Sequence, residues 1–203
     1  MRFNGLRSPL LLFLSIAATS LTAGGDKPKF EVKPVMAYAH RQTSENVTIA
    51  AEPMETDEQT RDAFGKVNPW RYGILPVLIV IRNDGPDAIR VDRMQFAYTF
   101  PDGTRVEATP ARDVRFIHGT TAPKGLSGPT GGIRLSRAPK NPLAEWEIEG
   151  RAFAAKMVPA GQSASGFAYF QVSQSSAAAS VYITGLDNAV SGKELYFFEI
   201  PMS

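Results

Sequence analysis

Cysteine is missing altogether from the 203 residues. That one absence removes disulfides, thiol nucleophiles, cysteine-type zinc sites, iron–sulfur clusters, c-type haem attachment and blue-copper centres. A chain of this length without cross-links must hold itself together through its core, and 203 residues leave room for one domain with a real core. Histidine is almost as scarce, with only His40 and His118. They stand far apart in the chain and form no local metal-ligand spacing. An excess of charge is lacking too. Arg2 and Arg7 account for the whole surplus of 22 basic over 20 acidic residues. With residues 1–23 set aside the chain is neutral, which gives it no electrostatic reason to seek nucleic acid or an anionic membrane.

Long apolar runs are confined to the N-terminus. Arg2 and Arg7 precede an apolar region of about nine residues, Leu10 to Ala18, with small residues at its end and beyond, Ala17, Ala18, Ser20 and Ala23. This is the pattern of a secretory signal peptide over residues 1–23, and it is shorter than the ~20 residues a membrane-spanning helix requires. The expected protein is exported, periplasmic or secreted, with no integral membrane span. Leu21-Thr22-Ala23-Gly24 is similar to a bacterial lipobox, but Gly24 stands where the acylated cysteine would be.

The most apolar stretch of the remainder is Ile74 to Phe100, ILPVLIVIRNDGPDAIRVDRMQFAYTF. Val77, Ile79, Val80 and Ile81 are β-branched, which restricts χ1 in a helix and suits a pleated strand. Pro76 argues further against helix and puts the strand's start near an edge or a bulge. Asn83-Asp84-Gly85-Pro86 is a turn sequence, so the stretch reads as two strands joined by a turn. On the return strand the apolar phase slips by one, from Ile89 and Val91 to Met94, Phe96, Tyr98 and Phe100. Side chains alternate with period two, so a β-bulge at Asp92–Arg93 is predicted to keep both sets on the core.

Elsewhere the punctuation is mostly β. Val35–His40 and Asn46–Ala51 read as strands about a polar turn at Thr43–Glu45. Thr56-Asp57-Glu58-Gln59 is a capping box opening a short helix at 57–64, with Gly65 as its stop. Trp70 and Tyr72 lead into the opening strand, either as a core lid or as ligand-stacking aromatics. Strands are expected at Thr104–Ala108 and Val114–Ile117. Gly119 to Pro142 then carries five glycines and four prolines, too many for a packed element. Asn141-Pro142 marks the start of a helix with Leu143, Trp146, Phe153 and Met157 on one face, although Gly150 leaves a strand reading through Ala152 in competition. The last strands are Ser165–Val172, Val181–Thr184 and Leu195–Ile200. Ser165–Val172 and Leu195–Ile200 are expected to cover the opening pair.

About seven to nine short strands with one or two short helices suit a mainly β fold, an antiparallel immunoglobulin-like β-sandwich. It would form a single domain over 26–203 with an insertion at about 119–157. The runs LPVLIVIRNDGPDAIRVDRMQFAY and VPAGQSASGFAYFQV resemble exported bacterial immunoglobulin-like domains of unknown function, many of them lipoproteins. The likeness spans roughly 74–108 and 158–200. It implies a sandwich scaffold and brings no catalytic residue with it. The missing lipobox cysteine and the Gly/Pro-rich insertion depart from that pattern.

Three functional readings follow. The first is a non-catalytic binding or structural module of the cell envelope, with another envelope protein as partner. The second is a small-ligand or metal binder using His40 and His118, with Met36, Met54 and Asp113 nearby in type. The third is a hydrolase, for which Ser127 and Ser136 lack a Gly-x-Ser-x-Gly elbow and Glu145, Glu147 and Glu149 sit on one short helix. The candidate binding residues are Trp70, Tyr72, His118 and Trp146. No cofactor and no bound metal are expected. Gly125-Leu126-Ser127-Gly128-Pro129 lacks the Lys-Ser/Thr ending of a phosphate loop.

Overall fold

The computed structural model describes residues 30–65, 67–117, 141–144, 146–172, 178–195 and 197–202. The expected signal peptide, His118 and the Gly/Pro-rich stretch through residue 140 lie outside the described residues.

The fold is mainly β and antiparallel, with twelve strands among the described residues. In chain order they are β1 (Arg41–Ser44), β2 (Val47–Pro53), β3 (Ile74–Asn83), β4 (Ile89–Arg90), β5 (Gln95–Thr99), β6 (Arg105–Thr109), β7 (Met157–Val158), β8 (Ser163–Gln171), β9 (Ser180–Thr184), β10 (Leu186–Asn188), β11 (Glu194–Leu195) and β12 (Phe198–Pro201). Three short α-helices accompany them, α1 (Asp57–Phe64), α2 (Ala111–Val114) and α3 (Trp146–Gly150). Eight strands form one sheet in the order β1-β2-β3-β8-β6-β5-β9-β12, and four short ones form a second, β11-β10-β4-β7. The large sheet curls until its two edge strands meet, where the Glu199 amide on β12 donates to Gln42 Oε1 on β1 at 2.6 Å. The sheet is thus nearly a barrel.

β3 sits inside that sheet, paired with β2 on one side and β8 on the other. Its side chains are buried on both faces. Leu75, Val77, Ile79 and Ile81 join Tyr98, Phe170, Val181, Ile183, Phe198 and Ile200 in the core enclosed by the curled sheet. Ile74, Leu78 and Val80 point the other way, into a second core roofed by Phe64 of α1, Val114 of α2 and Ile148 of α3. Two buried faces are why the sequence runs apolar without alternation. Its seven aliphatic side chains contribute on the order of 10–20 kcal/mol before chain entropy is subtracted.

The opening stretch is therefore not a hairpin. β3 does not pair with β4 or β5. β4 belongs to the small sheet, while β5 pairs with β6 and β9. The predicted bulge at Asp92–Arg93 is a turn between two strands, with the Met94 amide donating to the Val91 carbonyl at 3.3 Å. The phase argument still holds in substance, because Ile89, Val91 and Tyr98 are all buried in the first core and Met94 and Phe96 pack against it. A chain break resets side-chain phase as well as a bulge does. The turn seats against Gly185, whose φ of 78° suits glycine, and a side chain there would strike the Arg93 backbone. Pro76 also lies in a central strand, not at an edge. Its position falls just past the last β2–β3 pair, Pro53 with Val77, so the ladder has ended where its missing N–H would point. Its carbonyl accepts from the Met54 amide at 2.9 Å.

Other expectations shift in the same way. Residues 57–64 form α1 with both halves of the capping box in place. The strand expected at Val35–His40 is a 3-10 turn at Val35–Ala37, with the first strand following at Arg41. Val114–Ile117 is not a strand, because α2 begins directly after Pro110 and runs to Val114. The helix expected from Pro142 to Met157 stops at Gly150, and residues 151–153 then run alongside β8. There the Phe153 amide donates to the Phe167 carbonyl at 3.0 Å and the Phe167 amide to the Arg151 carbonyl at 2.9 Å. A Cβ on Gly166 would collide with the Ala152–Phe153 backbone, so only glycine permits this approach. Leu195–Ile200 divides into β11 and β12, in different sheets. β8 lies beside β3 in the same sheet, so the facing cover comes from β5, β9 and β12.

Asn83, fully buried at the end of β3, locks this arrangement. Its Nδ2 donates to the carbonyls of Asp87 at 2.8 Å and Val158 at 3.0 Å, and its Oδ1 accepts from the Gly85 amide at 3.0 Å. Its own backbone pairs with Gln162 and Gly161. One side chain thus ties β3, the crossing to β4, β7 and the turn into β8. Replacing it by alanine strands the buried Val158 carbonyl together with the half-buried Asp87 carbonyl and Gly85 amide. Asn83→Ala is expected to lower unfolding free energy by about 2–4 kcal/mol in urea titrations, and a loss below about 0.5 kcal/mol contradicts the assignment.

Candidate functional site

Sequence singled out four side chains, and the structure does not gather them. Asn68 accepts from the Trp70 amide through Oδ1 at 3.0 Å and donates to Asp57 Oδ1 at 2.7 Å, which docks the 3-10 turn Pro69–Tyr72 against the first turn of α1. Asp57 also pairs with Arg71. The Asn68 hydrogen bond, together with Arg71, holds the Asp57 carboxyl below its usual range. From this turn Trp70 packs on the first core and Tyr72 on the second, so the two rings straddle the sheet. Trp146 is on α3, 71% exposed, with its ring lying over Gly150. His118 is outside the described residues.

The insertion between β6 and β7 is anchored at both ends. Asn141 Nδ2 donates to the Arg115 carbonyl at 2.6 Å, and Asn141 Oδ1 caps the following turn through the Leu143 amide at 2.9 Å. Arg115 forms an ion pair with Glu149 of α3. Leu143 and Ile148 plug into the second core, and Tyr169 of β8 donates its hydroxyl to the Ile148 carbonyl at 2.6 Å. Burial pushes the Tyr169 phenol far up, against a smaller opposing effect from Arg151, so it stays protonated as a donor. With its inner side fixed, the insertion turns Trp146 and Phe116, 59% exposed, toward solvent.

Among the described residues, two clefts lie beside the second core. One, of about 480 Å³, opens where β6 departs from β8 and is walled by Phe96 and Phe153, whose rings meet edge-on at 5.9 Å. Its carboxylate is Glu107, and Tyr169 there already donates to a carbonyl. The other, of about 590 Å³, lies between the N-terminal segment, β2 and α1. His40 and Met54 line it, with Glu31, Glu52, Asp62, Lys33 and Tyr38. Tyr38 is nearly buried and its hydroxyl oxygen accepts from the Lys33 amide at 3.0 Å. Burial raises the Tyr38 phenol, the Lys33 amide opposes this, and the charge of Glu52 adds to it. Asp113 and Met36 are not among the residues lining His40's cleft. Among the described residues no group of three or more His, Asp or Glu side chains converges to hold a metal ion. Also among them, no helix is long and apolar enough to cross a membrane. Sequence reasoning named His40 and Met54 but missed Glu52, whose signal was a carboxylate between buried Ala51 and buried Met54.

No protein-family model matches the chain. No curated protein matches it either. A solved structure described as the X-ray structure of Northeast Structural Genomics Consortium target SoR45 is similar over 79% of this chain and 84% of its own, with 12% identity and a TM-score of 0.32. At that TM-score the likeness carries no argument.

The two tryptophans give a direct check. Trp146→Phe should leave an emission from Trp70 that iodide quenches poorly, and Trp70→Phe should leave a red-shifted, readily quenched Trp146. Equal quenching of the two variants would contradict the placement of both rings.

Proposed function

We propose that the protein is a non-catalytic binding module, exported to the periplasm or cell exterior, and built on an immunoglobulin-like sandwich. The signal-peptide pattern over residues 1–23 supports export. Strand order supports the scaffold. With β2, β3, β5, β6, β8, β9 and β12 taken as strands A, B, C, C′, E, F and G, the hydrogen-bonded order becomes A-B-E in one layer and C′-C-F-G in the other. The layers meet at the short β6–β8 pairing, and side chains of both fill the first core.

The observation that carries the binding reading is that two large aromatics, Trp146 and Phe116, both stand exposed on segments anchored to the second core. Large exposed aromatics on a fixed scaffold lose little entropy on binding and are typical anchors of protein interfaces. The partner in this reading is another envelope protein. A second reading, small-ligand binding, is favoured by the cleft that His40 lines, whose volume falls within the usual range of about 300–1,000 Å³. Among the described residues no serine or threonine lines that cleft beside His40, so the hydrolase reading draws nothing from it.

The test is capture of envelope proteins on the immobilised protein, with Trp146→Ala/Phe116→Ala as comparison. The double variant should keep its thermal midpoint within a few degrees, since exposed positions shift stability by about 0.5 kcal/mol or less each. Its recovery of the partner should fall about ten-fold or more. Equal recovery from both proteins overturns this choice of surface.

A further inference from the structure

We propose that the cleft between the N-terminal segment, β2 and α1 binds a small organic cation, an alkylamine or guanidinium compound, with Glu52 as its counter-charge. This goes beyond the partner-binding reading, and either can fail without the other.

The anomaly is Glu52. Along β2 the side chains alternate, so Ala50, Glu52 and Met54 share the face that builds the second core. Ala50 and Met54 are buried there, and the cross-strand neighbour Leu78 is 2% exposed. Glu52 is half-buried in this apolar row. A carboxylate taken part-way out of water loses solvation that a nearby cation must offset. Among the described residues no ion pair is formed by Glu52, nor by Glu31 or Asp62 on the same cleft. Among the described residues of the lining Lys33 is the permanently charged cation; it is exposed and makes no ion pair among them. Among the described lining residues three carboxylates stand against one ammonium, which makes this lining net negative.

The walls fit the same class of ligand. Tyr38 and Phe30 are among the lining residues; the Phe30 ring already carries the Arg151 guanidinium, 5.1 Å from its centroid, which leaves Tyr38 as the aromatic wall for an organic cation. Met54 and Leu78 supply an apolar floor for an alkyl body. An anion meets three like charges, while a bare metal ion finds no cage of convergent ligands among the described residues. A cation with a short hydrocarbon chain uses both the charge and the floor.

Calorimetric titration of the purified protein at neutral pH and low salt, with putrescine, spermidine and methylguanidinium as probes and citrate as the anionic control, tests the idea. At least one cation should bind saturably at one per chain, and citrate should not. Glu52→Gln, nearly isosteric, should weaken that binding by about ten- to hundred-fold, as loss of one charge-assisted contact implies. In methyl-labelled wild-type protein the Met54 signal should shift on titration while Met157, outside the cleft, stays fixed, a readout that does not depend on the variant folding. Absence of saturable binding by all three cations up to about 10 mM, or equal binding by Glu52→Gln, or a shift of Met157 without Met54, overturns the proposal.

Discussion

The constraint on which the rest depends is the double burial of β3. A strand paired along both edges and covered on both faces cannot be moved without unmaking the sheet and both cores at once. The curled sheet closes over one face of it and the three helices close over the other. The helices are short, between four and eight residues, and could not persist alone. They are helical because Phe64, Val114 and Ile148 find an apolar surface waiting on β3 and β8. α3, which carries Trp146, is held to the same surface through Leu143, Ile148 and the Tyr169 hydroxyl.

Much of this was legible in the sequence, and where the reading failed it failed for nameable reasons. The capping box at Thr56–Gln59 and the stop at Gly65 placed α1 to the residue, because both signals are local. The run Ile74–Ile81 announced a buried strand, but not which strands would flank it. Asn83-Asp84-Gly85-Pro86 looks like a hairpin turn because those residues favour tight turns. It serves instead as a crossing, since Asn83 spends its side chain on Asp87 and Val158. The small sheet was invisible, as strands of two or three residues leave no period to detect. Within it Asp187, nearly buried, pairs with Arg90 at 2.6 Å and Arg93 at 3.0 Å. From sequence Arg90 reads only as the polar residue between Ile89 and Val91, and Arg93 as half of the expected bulge.

The candidate sites were less legible than the fold. Trp70 and Tyr72 were marked for their aromaticity, and both are half-buried parts of the lead into β3. Trp146 was marked as part of an apolar helix face, and its exposure follows from the early end of that helix at Gly150. The cleft of Glu52 assembles residues from the N-terminal segment, β2, α1 and β3, so no spacing in the chain could reveal it. Only the placement of a carboxylate on a core-facing row gives it away, and that requires knowing that both faces of this sheet are covered.

Native-state hydrogen exchange measured by NMR across β3 tests the central claim most directly. If β3 is held from both edges and both faces, the amides of Leu75 and Val77–Ile81 exchange only through global unfolding, with the highest opening free energies in the molecule. Contradiction would come from β3 amides that open at lower free energy than those of β9 and β12, because the strand would then be separable from the cores assigned to it.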